Sequence, residues 1–195
     1  MSGALRTVAD RRRAFRLGRL AGIEIAVHGA YPLFTLLLVC VLGSVTFPTL
    51  LPDSNASTHW LLALVVALGE TAAGFAHELG HSLVAAAHGR VVHSITLYGW
   101  AAATRRTPGA PDGREAFLIA MGGPASHVVL AATCWSVHLV LAGLLPVASV
   151  AFALLAIVNV ILGVLNLLPV APLDGRRALV AWSDARSRPA RAPQV

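Results

Sequence analysis

His77-Glu78-Leu79-Gly80-His81 places two imidazoles and a carboxylate on one helical turn. Residues 77 and 81 stand about 40° apart around an α-helix, so both rings can reach a single metal ion. This HExxH spacing is that of a zinc site in which the glutamate serves as general base toward activated water. The setting is unusual for such chemistry. From Trp60 to Ala87 the chain is otherwise almost wholly apolar. Ionisable groups in apolar spans are costly and tend to be functional.

A catalytic zinc takes three protein ligands and keeps a fourth position open. Asp174 is the candidate third ligand. It lies in Asn166-Leu167-Leu168-Pro169-Val170-Ala171-Pro172-Leu173-Asp174-Gly175, where the two prolines must end the preceding helix. Irregular backbone at membrane depth is tolerated only where it is covered or lines a wet cavity. On spacing alone Asp174 also reads as an interfacial turn or cap residue.

These residues need a membrane scaffold to position them. The chain has 195 residues, of which 56% are hydrophobic and only 12% charged. A soluble domain carries roughly a quarter charged residues. Four apolar segments exceed the roughly 20 residues that spanning requires: about 28–51, 60–88, 115–145 and 146–170. The domain reading is an arginine-rich segment with a short strand over 1–27, a membrane-embedded core over 28–182, and a polar tail over 183–195. Alternation through Ile23, Ile25 and Val27 predicts that strand, and Val91–Ala103 has a similar character. Cys40 and Cys134 both lie in apolar segments and read as small hydrophobes. Arg12-Arg13 is not read as part of a cleaved export signal, because Glu24 and His28 intervene before a full-length apolar run.

The basic residues set the orientation. All 15 are arginines: six precede the first span, four separate the second from the third, and five follow the fourth. The opposite loops, 52–59 and 143–146, contain none. The positive-inside rule then places both termini in the cytoplasm. It also accounts for the net charge of +6, so nucleic acid is not a partner. With the boundary near His88, His81 and His77 lie about 10 and 16 Å into the bilayer.

HELGH on one span and N-x2-P-x2-P-L-D-G closing a later one resemble the site-2 protease family of intramembrane zinc metalloproteases. Gly22–His28 resembles the strand before that family's first span, Ile95–Ala103 its membrane-associated β segment, and Gly122–His127 its GPxxN element. The resemblance covers roughly residues 17–180. It implies an all-α polytopic membrane fold with about four transmembrane helices and a short membrane-associated β segment. It implies His77, His81 and Asp174 as ligands of one zinc ion, Glu78 as catalytic base, and a site opening toward the cytoplasm. It also implies a bacterial cell membrane as the location and membrane-anchored proteins as substrates. The chain departs from the family at His127, Trp100-Ala101 and Arg176. With about 20 residues after LDG, it reads as a minimal version of the core.

Other polar residues share faces with this site. Glu70 and His88 lie on the face of His77 and His81; His127, Cys134 and His138 share a face of the third span. Interhelix packing and hydrogen bonding account for most such residues. His127 and Asn166 are the candidate substrate-contacting residues, and Asn159 is read as an interhelix contact. Strand addition along Val91–Ala103 would hold an unwound substrate. Two rivals remain: a catalytically silent zinc-binding scaffold or chaperone, against which the retained Glu78 argues, and a metal transporter, against which the one-sided ligands argue. So short a core also leads us to expect a homodimer or membrane partner as the gate.

Overall fold

The computed structural model of the protein describes residues 14–20, 22–98, 101–106 and 112–187. The elements run β1 (Ala14–Leu20), β2 (Ile23–His28), α1 (Tyr31–Leu50), α2 (Ala56–Ala87), β3 (Val92–Tyr98), β4 (Ala101–Arg106), α3 (Gly113–Ala142), α4 (Pro146–Asn166) and α5 (Asp174–Ser187). The helices α1 to α4 are each long and apolar enough to cross a membrane. At 1.5 Å per residue, the 20 residues of α1 span about 30 Å, the thickness of a bilayer core. The expected spans therefore match these helices to within a few residues. Leu36, Leu37, Leu64, Leu139 and Ile161 point outward, as side chains do when lipid is the solvent.

Local chemistry sets where the helices begin and bend. The Asn55 side chain accepts from Thr58 N–H and caps α2; Asp112 accepts from Glu115 N–H and caps α3. Pro48 lacks an N–H, and the turn before it, Leu42–Thr46, relaxes into π-helical spacing. The Thr49 hydroxyl donates to Val45 O at 2.7 Å, supplying a partner in that region. Leu42 and Phe47 from this bend join Leu62, Ala63 and Val66 of α2 and Ala151 and Leu155 of α4 in the main apolar core. Arg90 and Glu115 form a two-bond ion pair, 2.5 and 2.8 Å, tying the end of α2 to the start of α3.

The β component is larger than the sequence led us to expect. β1 through β4 form one sheet in chain order, with β1–β2 and β3–β4 antiparallel and β2–β3 parallel. The segment 91–103 is not one strand but most of a hairpin. β3 is hydrogen-bonded on both sides, so a substrate strand cannot add to it. Only β1 and β4 offer outer edges among the described residues. β1 falls in the arginine-rich segment, where Arg16, Gly18 and Arg19 gave no strand signal; its pairing with β2 decides it. At the other end, α5 continues to Ser187, so residues 183–187 are helix and not tail. The rest of that tail, the arginines before Ala14, and Trp100 lie outside the described residues.

Candidate metal centre

Two elements deliver the candidate ligand atoms. His77 and His81 project from one face of α2, and Asp174 opens α5 after the proline-broken segment. His77 Nε2 and His81 Nε2 are 3.1 Å apart. Asp174 Oδ2 lies 3.0 Å from the first and 3.1 Å from the second. Tetrahedral ligands at the usual zinc distances of about 2.0–2.1 Å have edges of about 3.3 Å. The triangle is close to that size, and its donors suit zinc.

The surrounding bonds fix these ligands. His81 is 2% exposed, and its Nδ1 lies 2.6 Å from the Ile119 carbonyl. A carbonyl only accepts, so Nδ1 carries the proton and Nε2 presents its lone pair. Gly123 N–H also stands 3.2 Å from Nδ1; the shorter contact to an obligate acceptor decides the tautomer. His81 Nε2 and Asp174 Oδ2 thus converge as electron-pair donors beside His77 Nε2, an arrangement a cation can bridge. The other Asp174 oxygen accepts from Arg177 Nη1 at 3.1 Å. Burial pushes the Asp174 carboxyl up, but whenever the facing ring nitrogens carry protons their hydrogen bonds hold it well below the usual carboxylate range. It therefore stays ionised beside either a ring proton or a metal.

Glu78 is buried next to the histidines. The nearest ligand atoms of His77, Glu78 and His81 all lie within 4.8 Å of one another. Asp174 is closer to both rings than that limit, so it and the two histidines form the tighter triangle, with Glu78 beside it. Glycines let α3 approach. A Cβ at Gly122 would stand 2.6 Å from Gly80 O, and one at Gly123 would stand 2.6 Å from His77 Nε2. The backbone of α3 thus forms a floor directly beneath the ligand atoms.

His127 lies beside this group, its ring centroid 4.9 Å from that of His77. Its Nδ1 is 2.8 Å from Asn159 Oδ1 on α4. Asn166 donates instead to Leu162 O of its own helix. The α4 residue that bonds within the site is therefore Asn159, a whole helical turn and more before the one the sequence pointed to. Arg177, Ile119 O, Asn159 and Gly123 were missed as site residues. The Gly122-Gly123-Pro124 run and Asn159, set in an apolar stretch of helix, were the only signals for them. Glu70, His88, Cys134 and His138 add no ligand to the cluster among the described residues.

Comparison with known proteins agrees with this geometry. Residues 145–194 match peptidase family M50. Rip3 of Mycobacterium tuberculosis, named as a zinc metalloprotease, is 38% identical over 178 residues, covering 88% of this chain and 44% of that protein. The protein sll0528 of Synechocystis, named likewise, is 37% identical over 180 residues, covering 86% and 44%. The chain thus spans under half the length of the curated relatives it matches. The site-2 protease of Methanocaldococcus jannaschii has the same fold, with TM-score 0.53 and 21% identity over 86% of this chain and 70% of that one. The chain is a multi-pass membrane protein with the fold of the site-2 protease, similar over residues 145–194 to peptidase family M50 and over most of its length to proteins named as zinc metalloproteases.

Proposed function

We propose that this protein is an intramembrane endopeptidase that hydrolyses peptide bonds within transmembrane segments of membrane-anchored proteins, working from the cytoplasmic face of a bacterial cell membrane. The observation that carries the reading is the triangle of His77, His81 and Asp174 beside buried Glu78, set on helices long enough to span the bilayer. Bound there, zinc supplies Lewis acidity, lowering the pKa of water toward ~7 and polarising a carbonyl.

The protein's own groups do the rest. Glu78 accepts a proton from the attacking water and returns it to the leaving amine nitrogen. Ile119 O holds the His81 ring, and Arg177 holds Asp174, so neither ligand must reorganise as charge develops. A transmembrane helix hides its carbonyls in i→i−4 bonds, so the substrate must unwind locally. The outer edge of β4 is the place in the 91–106 hairpin where an extended segment can still add. A second copy of the chain or a membrane partner would gate entry.

The test is co-expression of a single-span candidate substrate with wild type and with Glu78→Gln. A zinc-dependent product from wild type only is expected. Equal product from both would refute the assignment of Glu78. Absence of product from a panel of substrates would favour the silent scaffold, which keeps the ligands without the reaction.

A further inference from the structure

Gly163 and Asn159, on one face of α4, form a seat for a single side chain of α3, that of His127. Gly163 makes room: a Cβ there would stand 3.2 Å from His127 Cβ. Asn159, 1% exposed, donates from Nδ2 to Leu155 O at 2.9 Å. That bond fixes the amide, because the reverse orientation would face two acceptors at each other. Oδ1 must therefore face His127, and His127 Nδ1 must donate to it across 2.8 Å. His127 is itself 3% exposed. Its Nε2 makes no hydrogen bond among the described residues.

We propose that Asn159 is a positioning residue that locks His127 in the Nδ1–H tautomer, so that Nε2 is the acceptor for a substrate backbone N–H beside the metal centre. The inference rests on the peptidase reading above. A substrate unwound in a dry site loses the helical partners of its N–H groups, and each buried donor left unpaired is costly. The other acceptors at the site are committed. Asp174 is held by Arg177 and faces both histidines, and Glu78 must exchange a proton. Among the described residues, His127 stands with its ring centroid 4.9 Å from that of His77 and with its Nε2 lone pair uncommitted. A main-chain contact of this kind binds an extended segment irrespective of its side chains.

The probe is a peptide hydroxamate with one backbone N–H next to its chelating end, compared with the analogue N-methylated at that nitrogen. Both are titrated into zinc-loaded full-length protein in detergent, with zinc content measured for every variant. Wild type should favour the N–H compound about tenfold, the size of one buried hydrogen bond. His127→Leu and Asn159→Leu should bind both compounds alike with zinc content unchanged, and Asn159→Asp, which keeps the acceptor, should restore the preference. A preference that persists in His127→Leu and Asn159→Leu would overturn the proposal. The tautomer is read separately from ¹⁵N-histidine spectra of wild type, and a proton on His127 Nε2 would also overturn it. Binding of neither compound by zinc-loaded wild type would count against the peptidase reading, and the spectra would then decide the tautomer alone.

Discussion

The closest approach to the metal centre is made by a backbone, and adding one methyl group there tests the whole arrangement. In Gly123→Ala the new Cβ would stand 2.6 Å from His77 Nε2 and Cε1, and closer still to His81 Nε2. Comfortable non-bonded contact begins at about 3.5 Å, so the overlap is about 1 Å at both ligand nitrogens. Neither side has an easy way to yield. His81 is pinned to Ile119 O at 2.6 Å. Moving α3 outward would open the Gly80–Gly122 approach, where the helices are already in backbone contact. Disturbing a ligand's support typically costs 10–100-fold in metal affinity. Direct displacement of two ligands belongs at the upper end, about 100-fold or ~2.8 kcal/mol. Helix propensity works the other way, since alanine is favoured over glycine by ~1 kcal/mol. Gly74→Ala, with nothing within 4 Å of its Cβ, is the matched control on the neighbouring helix. Zinc retained against a graded chelator, measured by mass spectrometry on purified protein, reads the effect. Full zinc affinity in Gly123→Ala would refute the placement of the ligands over the α3 backbone.

Other expectations follow from the same contacts. Glu78→Gln should lower cleavage about 10²–10⁴-fold, the usual worth of a positioned acid–base group, while zinc content stays at the wild-type level. Arg177→Met removes the one hydrogen bond that Asp174 Oδ1 accepts among the described residues and should weaken zinc binding about 10-fold or more in the chelator assay. Gly175→Ala would set a Cβ 2.6 Å from Leu168 O and nearer still to Leu167 O; it should shift the start of α5 and lose zinc together with thermal stability. Thr96→Pro cuts into a strand bonded on both sides, so it should also lose zinc by unfolding the sheet.

Some of the protein could be read directly from its residues. Four apolar runs gave α1 to α4, because a bilayer demands length and hydropathy that need no tertiary knowledge. The HExxH spacing gave the convergence of His77 and His81, because the α-helical period alone sets it. Asp174 was nameable from its prolines, but its distance to the histidines, set by α5 docking on α3 and by Gly175 packing under the end of α4, was not. The sheet was half visible. β2 showed its alternation, whereas β1 among arginines and the split of 91–106 into two strands depend on partners distant in the chain. Asn159 and Asn166 differ by seven residues on one helix; sequence read Asn159 as an interhelix contact and Asn166 as the active-site neighbour, and it is Asn159 that bonds to His127. Which asparagine meets His127 is decided by the depth at which α3 and α4 cross, and glycine contacts set that depth. Local periodicity and hydropathy therefore determined the spans and the first two ligands. Helix-to-helix packing decided the placement of Asp174, the tautomers of His81 and His127 and the floor of the site, because those depend on distances between segments that no local pattern encodes.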